Sequence, residues 1–315
     1  MLKSLSIKRE VPIIPPFLSG LRLYLDSSDS TTITKAYQNL VATGTGTVGT
    51  NTITASGVVT NLIQPGMKLR ISGTDIYTVA SVATPVITTV ELLSTSYVAQ
   101  IMAVDRVSQW NDKSGFGNHA TQGTALIQLI YNPARLNGQA VLTGDGASYM
   151  FANGVASIMS GSDKAATVFS VTSTGVVTSN VMYAWGTAAV ATGAMQLKYQ
   201  NPSNFAVLKR DDANLLKNTT AGTSVLNTHA IFSMVNRGIA ANVYRNNTLI
   251  IPNADIDVAT TTTDRFVIGA SFGGSAGQPL NGDIARFLVY NREFSIPEII
   301  IVNRFLAQNT GILIT

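Results

Sequence analysis

The chain has 315 residues, enough for one large β-sandwich plus a satellite of some tens of residues, so core size is no constraint. It has no cysteine, which excludes a disulfide framework and thiolate metal sites. Its net charge is +4, but the 21 Lys and Arg residues are scattered without a cluster, which argues against a nucleic-acid partner. Only 12% of residues are charged, about half the usual share of roughly 25%. With a mean hydropathy of +0.23, much of the surface is expected to be uncharged or buried in an assembly.

Residues Met1 to Glu10 carry Lys3, Lys8, Arg9 and Glu10 with no apolar run behind them, so no secretory signal is expected. Strand-like alternation begins at Leu21, with Leu21, Leu23 and Leu25 predicted on one face and Arg22 and Tyr24 on the other. An acidic turn, Asp26-Ser27-Ser28-Asp29, ends it. From Val41 to about Gln100 the composition shifts to Thr, Gly, Val and Ile and reads as a module of its own. Short strands are predicted at Thr50 to Thr54, Lys68 to Ile71, Tyr77 to Val82 and Thr88 to Leu93, with Gln64-Pro65-Gly66 as a turn. That density of strands indicates a small barrel or curled sheet.

After Asp105, turn signals recur at spacings suited to a sandwich. Ala166 to Val171 reads as a strand, and the uncharged stretch Ala165 to Leu197 is broken by Thr, Ser, Asn and Gly too often for a membrane helix. Ala241 to Arg245, Asn246-Asn247 and Thr248 to Ile251 form a predicted hairpin, because Asn tolerates the positive φ of a two-residue turn. Arg265 to Gly269 and Ile284 to Tyr290 supply further strands. One helix is predicted, with Ser295 and Glu298 as a capping box, Ile299, Val302, Phe305 and Leu306 as its apolar stripe, and Gly311 as its stop.

Four patches, in order, resemble the laminin-G-like branch of the concanavalin A-like superfamily. They are Leu21 to Asp29, Val107 to Gln122 (with Trp110-Asn111-Asp112-Lys113-Ser114-Gly115-Phe116-Gly117-Asn118), Asn137 to Gly146, and Leu280 to Arg292 with the helix behind it. Within the middle module, the run from Leu69 to Val82 is similar to small β-modules of phage tail and head-binding proteins. The resemblance implies an all-β concanavalin A-like jelly-roll sandwich with an inserted small β-barrel-like module and one C-terminal helix. Residues 1–38 and 104–315 would form the discontinuous jelly roll and 39–103 the insertion, which is cheap because loop-closure entropy grows only logarithmically.

The chemistry that hydrolyses glycosidic bonds needs two carboxyl groups flanking one bond. The four Glu, at 10, 91, 293 and 298, do not have that spacing, and Asp255 and Asp257 read as a solvated strand edge, so an enzyme is not expected. His119 and His229 have no metal-ligand spacing and are assigned structural roles. Asp283, after Gly282, is expected to satisfy backbone amides. Laminin-G-like relatives often bind calcium through loop oxygens, which makes Asp26, Asp29, Asn111 and Asp112 the metal candidates, with strand-capping Asx turns as the favoured competing reading. Sugar platforms need exposed aromatics beside planar polar groups, so Tyr183, Trp185 and Phe272 are the ligand-binding candidates, with a place in the core as the favoured competing reading.

The resemblance implies a bacteriophage virion structural protein, tail- or surface-exposed and extracellular after host lysis, whose lectin-like domain contacts host surface polysaccharide. Other virion proteins and further copies of the chain are the expected partners, with neither nucleic acid nor membrane among them. A ligand-free capsid decoration or head-fibre protein is the second reading, and a polysaccharide-degrading enzyme the third.

Overall fold

The computed structural model describes residues 15–56, 62–176, 180–187, 194–201, 203–259, 261–271 and 278–314. Two antiparallel sheets face each other. The first runs Thr248–Asp255, Ala240–Arg245, Ala230–Arg237, Ala165–Thr172 and Asn281–Tyr290. The far edge of Asn281–Tyr290 is shared by Leu21–Asp26 and Gln139–Asp145, and Leu129–Leu136 follows. The second runs Leu216–Ala221, Asn204–Arg210, Ala194–Asn201, Asn180–Gly186, Arg265–Ile268, Met150–Phe151 and Ala120–Thr121. Tyr97–Trp110 pairs with both Ala120–Thr121 and Leu129–Leu136, joining the sheets.

Period-two alternation sorts side chains between two cores. Along Asn281–Tyr290, Phe287 and Val289 enter the core between the sheets, while Leu288 and Tyr290 face the layer under the helix. Trp110 is fully buried between the sheets. The helix Ile296–Ala307 lays Ile299, Val302, Phe305 and Leu306 on the outer face of the first sheet, and its capping box forms as the sequence predicts, with Ser295 N donating to Glu298 Oε2 at 2.8 Å. It ends earlier than Gly311: the left-handed residue after the cap is Asn309, at φ +63°. Arg286, buried in the sheet below, donates to the Leu306 carbonyl at 2.9 Å and so satisfies a helix-end acceptor.

The Thr-rich segment closes into a barrel. Ile33–Gly46 pairs with Thr52–Ala55, which pairs with Val86–Thr89, then Asp75–Ala83, Lys68–Ile71 and Tyr97–Trp110, which returns to Ile33–Gly46. Six strands in a ring leave no edge. Ile53, Leu69, Ile71, Val79, Ile87, Met102 and Val104 fill its interior as a core separate from that of the sandwich. Two long strands carry the chain in and out, with Asn39 opposite Ala103. The strand expected at Thr88 to Leu93 stops at Thr89, and the one expected from Thr50 begins at Thr52.

The hairpin at Asn246-Asn247 has φ values of +47° and +71°, as its two-residue turn demands. The expectation for Leu21 needs correction. Leu21 pairs with Tyr290 and Leu23 with Val289, so Arg22 is the extra residue of a bulge. The bulge turns Leu21 to the helix side with Tyr24, away from Leu23 and Leu25.

Candidate functional site

The bulge at Arg22 sets an exposed aromatic ring next to planar polar groups at the rim of a surface cleft. Its unpaired carbonyl accepts from Asn118 Nδ2 at 2.7 Å and Ser114 Oγ at 3.2 Å. Asp112 Oδ1 accepts from Tyr24 N at 2.9 Å, so the 112–118 loop is stitched along the free edge of the first strand. Gly115 and Gly117, at φ +89° and +73°, turn the loop tightly around Phe116. That ring cannot reach a core and stays 57% exposed. The Arg22 guanidinium lies over it, 4.7 Å from the centroid.

Arg22 is held from the other side by Asn291. With the Asn291 amide nitrogen donating to the Gly20 carbonyl, its oxygen accepts from Arg22 Nη2 at 3.0 Å and Nε at 3.2 Å. The cleft beside this array has a volume of about 510 Å³ and is lined by Arg22, Asn291, Gly154, Ser157, Ile158, Ser160, Lys164 and Ala165. Gly154 admits Asn118 at the cleft's edge: a β-carbon there would fall 1.9 Å from Asn118 Oδ1. Such a surface, with one ring face, a guanidinium edge, a side-chain amide and hydroxyls, suits a ligand that is apolar on one face and rich in hydroxyls at its rim.

The aromatic residues named from the sequence lie elsewhere. Trp185 and Tyr183 are fully buried in the sandwich core, their rings 5.9 Å apart, and Trp185 Nε1 donates to the Val155 carbonyl at 3.1 Å. Rings shut between two sheets cannot serve as a surface platform, so both are core. Phe272 lies outside the described residues. Phe116 was missed, although an aromatic between two glycines in a polar turn has no strand neighbours to bury it.

The four metal candidates sit near one another, but their oxygens are occupied by donors. Asp26 Oδ1 takes Ser28 Oγ at 2.6 Å and Arg286 Nε at 3.3 Å, and its Oδ2 takes Tyr24 Oη at 3.1 Å. Asp29 takes Thr31 Oγ1 at 2.6 Å and Lys113 Nζ at 2.8 Å. Asn111 Oδ1 takes Gln109 Nε2 at 2.6 Å, and Asp112 Oδ2 takes Asn118 N at 2.9 Å and Ser114 Oγ at 2.7 Å. A cation would have to displace Arg286 and Lys113, so these residues are turn and strand ties. Among the described residues no group of three or more His, Asp or Glu is arranged to hold a metal ion.

Asp283 also departs from expectation. Among the described residues its side chain caps no backbone amide; it is a buried charge node, 1% exposed, accepting from Arg135 Nε at 2.6 Å and Thr143 Oγ1 at 2.8 Å, with His229 Nε2 3.0 Å away. Burial pushes its carboxyl up, but His229 and Arg135 outweigh that and hold it below the ordinary carboxylate range. His119 accepts from the Asp112 amide at 3.0 Å, a structural role. Glu91, Glu293 and Glu298 are tied to Thr78, Arg237 and Arg292, and Asp255 to Lys217. Among the described residues no helix is long and apolar enough to cross a membrane.

No family model matches the chain, and no curated protein matches it. Among solved structures it is similar to the carbohydrate-binding module of the Ruminococcus gnavus IT-sialidase bound to α2,3-sialyllactose, at 17% identity and a TM-score of 0.41, over 48% of this chain and 87% of that one. It is similar to the binding domain of botulinum neurotoxin serotype G at 12% identity and a TM-score of 0.49, over 63% and 49%. Similarity to Trypanosoma rangeli sialidase has 14% identity and a TM-score of 0.42, over 64% and 31%. At TM-scores below 0.5 these are distant similarities over parts of chains.

Proposed function

We propose that this chain is a bacteriophage virion protein whose sandwich holds host surface glycans at the cleft beside Arg22 and Asn291, next to the exposed Phe116 ring. The observation that carries the glycan reading is the exposed Phe116 ring set beside a guanidinium and an amide that are hydrogen-bonded to each other. The virion reading rests on the four laminin-G-like patches and the phage-like run inside the barrel. Residues 39–103 are proposed as the inserted unit, and 1–38 with 104–315 as the sandwich. The protein would then be exposed on the particle and reach the outside by lysis.

Contacts with other virion proteins, or with further copies, find support on the barrel. Val41, Val98 and Ile101, on its two long strands, point outward and are 102%, 76% and 52% exposed. Three such side chains on one strand pair are an apolar surface that an assembly would cover.

The test is binding of purified host polysaccharide and a glycan array by the full chain and by Phe116→Ala, with release of reducing ends measured in parallel. The reading expects binding that the variant loses at unchanged melting temperature, and no reducing ends. An array with no bound glycan favours the ligand-free decoration protein, and released reducing ends favour the enzyme. Immunogold labelling of phage particles would locate the chain, and particles without label would refute the virion reading.

A further inference from the structure

We infer that the sugar taken by this cleft is anionic, carrying a carboxylate or sulfate that sits between Arg22 and Lys164; the inference rests on the glycan reading above. Pairing register fixes where the two cations stand. Thr167 pairs with Tyr290 and Tyr290 with Leu21, so three neighbouring strands end at the cleft in the order Ala165–Thr172, Asn281–Tyr290, Leu21–Asp26. Lys164 precedes the first, Asn291 follows the second and Arg22 lies in the third. Two strand spacings across the sheet and about three residues along it therefore separate the backbones bearing the two cations, on the order of 14 Å, a span that the two long side chains narrow from either side, with the neutral Asn291 between them. A gap of that size admits one charged sugar substituent.

The charge of the cleft is uncompensated. Among the described residues, none that lines it is Asp or Glu. The partners that orient Arg22, the Asn291 oxygen and the Phe116 ring, fix its direction without neutralising it. Among the described residues Lys164 Nζ makes no ion pair, whereas Lys35, Arg106, Lys113, Arg135, Lys217, Arg237, Arg286 and Arg292 each reach a carboxylate. Two like charges facing one concavity repel each other, and an anion placed between them turns that repulsion into two attractions. The bulge that frees Arg22 from the ladder is the backbone feature that turns its side chain to the cleft, and Gly154 lets Asn118, which holds the Arg22 carbonyl, pack close beneath it.

The experiment compares three probes by calorimetry on the full chain: an oligogalacturonate, the same oligosaccharide with its carboxyl groups reduced to alcohols, and a sulfated dextran oligosaccharide. Each is measured at low and high salt with the wild type, Lys164→Gln, Arg22→Gln and the distant control Lys68→Gln, and every variant is first checked by thermal melting. The inference expects binding of at least one anionic probe, about tenfold or more loss on removing either cleft cation, as a lost charge-assisted hydrogen bond gives, and no change in Lys68→Gln. High salt should weaken binding. Preference between the first and third probes tells carboxylate from sulfate. If the reduced oligosaccharide binds as well as the charged one and Lys164→Gln changes nothing, the anion inference fails while the glycan reading stands. If no glycan binds, on these probes and on the array, both fail. Equal loss in Lys68→Gln would mean diffuse attraction to surface charge and would also overturn the inference. Should Arg22→Gln melt early, Lys164→Gln, whose side chain ties no element down, decides alone.

Discussion

Gly154 and Asn118 meet so closely that a β-carbon on the first would stand 1.9 Å from Oδ1 of the second. The substitution Gly154→Ala must therefore push the Asn118 side chain away and break its 2.7 Å bond to the Arg22 carbonyl. Urea titration is expected to show a loss of about 1–3 kcal/mol, the usual cost of overpacking. Glycan binding should fall with it, because the 112–118 loop carries Phe116. Unchanged stability and binding would mean that the loop floats free of the cleft floor.

Both tryptophans, Trp110 and Trp185, are fully buried. The emission of the folded protein should be blue-shifted, poorly quenched by acrylamide and unchanged on adding any bound glycan. Trp185→Ala is expected to cost roughly 3–5 kcal/mol, as large buried aromatics do. Strong quenching, or a ligand-dependent shift, would restore Trp185 as a surface platform and contradict its place between the sheets.

Elements defined by local chemistry were legible in the sequence. The capping box at Ser295 and Glu298 and the Asn246-Asn247 turn depend on residues a few positions apart, and both form where expected. The barrel strand Lys68–Ile71 follows from alternation, and the sandwich strand Ala165–Thr172 contains the run Ala166 to Val171 that reads as a strand. The Arg22 bulge was not legible, because register is decided by a partner strand more than 200 positions away. Tyr183 and Trp185 stay open between platform and core in the sequence for a related reason, with the core favoured: aromatics two apart on a strand share a face, and nothing local says whether a second sheet covers it, as one does here. Asp283 gathers Arg135, Thr143 and His229 from three distant segments, so no motif could announce it.

That node gives a pH prediction. The carboxyl of Asp283 is held below its ordinary range when folded, so the stability it contributes is present above the unfolded value, near 3.9, and is lost as pH falls through the folded value. Melting temperature should accordingly drop on the acid side of about pH 4. In Asp283→Asn this part of the acid loss is expected to vanish, with about 2 kcal/mol lost at pH 7 for the charged hydrogen bonds removed. Chemical denaturation of both proteins across pH 3 to 7 checks it; parallel curves would show that Asp283 keeps the same proton affinity folded and unfolded.

The barrel offers a test of the proposed division. Its core residues, such as Ile53, Leu69 and Ile87, are grouped apart from those of the sandwich. Contacts across the junction include Ile130, which joins the barrel core, and Asn132 Nδ2, which donates to the Pro65 carbonyl at 3.2 Å. Because Asn39 and Ala103 face each other in the ladder, the chain can be cut there and closed with an Asn-Gly turn. A closed barrel that buries its own apolar residues contributes little to the sheets beyond the strand stems, while the shorter loop slightly favours closure. The shortened protein should therefore fold cooperatively, with Ile130 newly exposed as its main cost, about 1.5–3 kcal/mol for a large aliphatic side chain. Binding at the Phe116 cleft should persist, since no residue of that cleft comes from the barrel. A shortened chain that stays unfolded, even with Ile130→Thr to relieve the exposed surface, would mean that the barrel and sandwich are one cooperative unit.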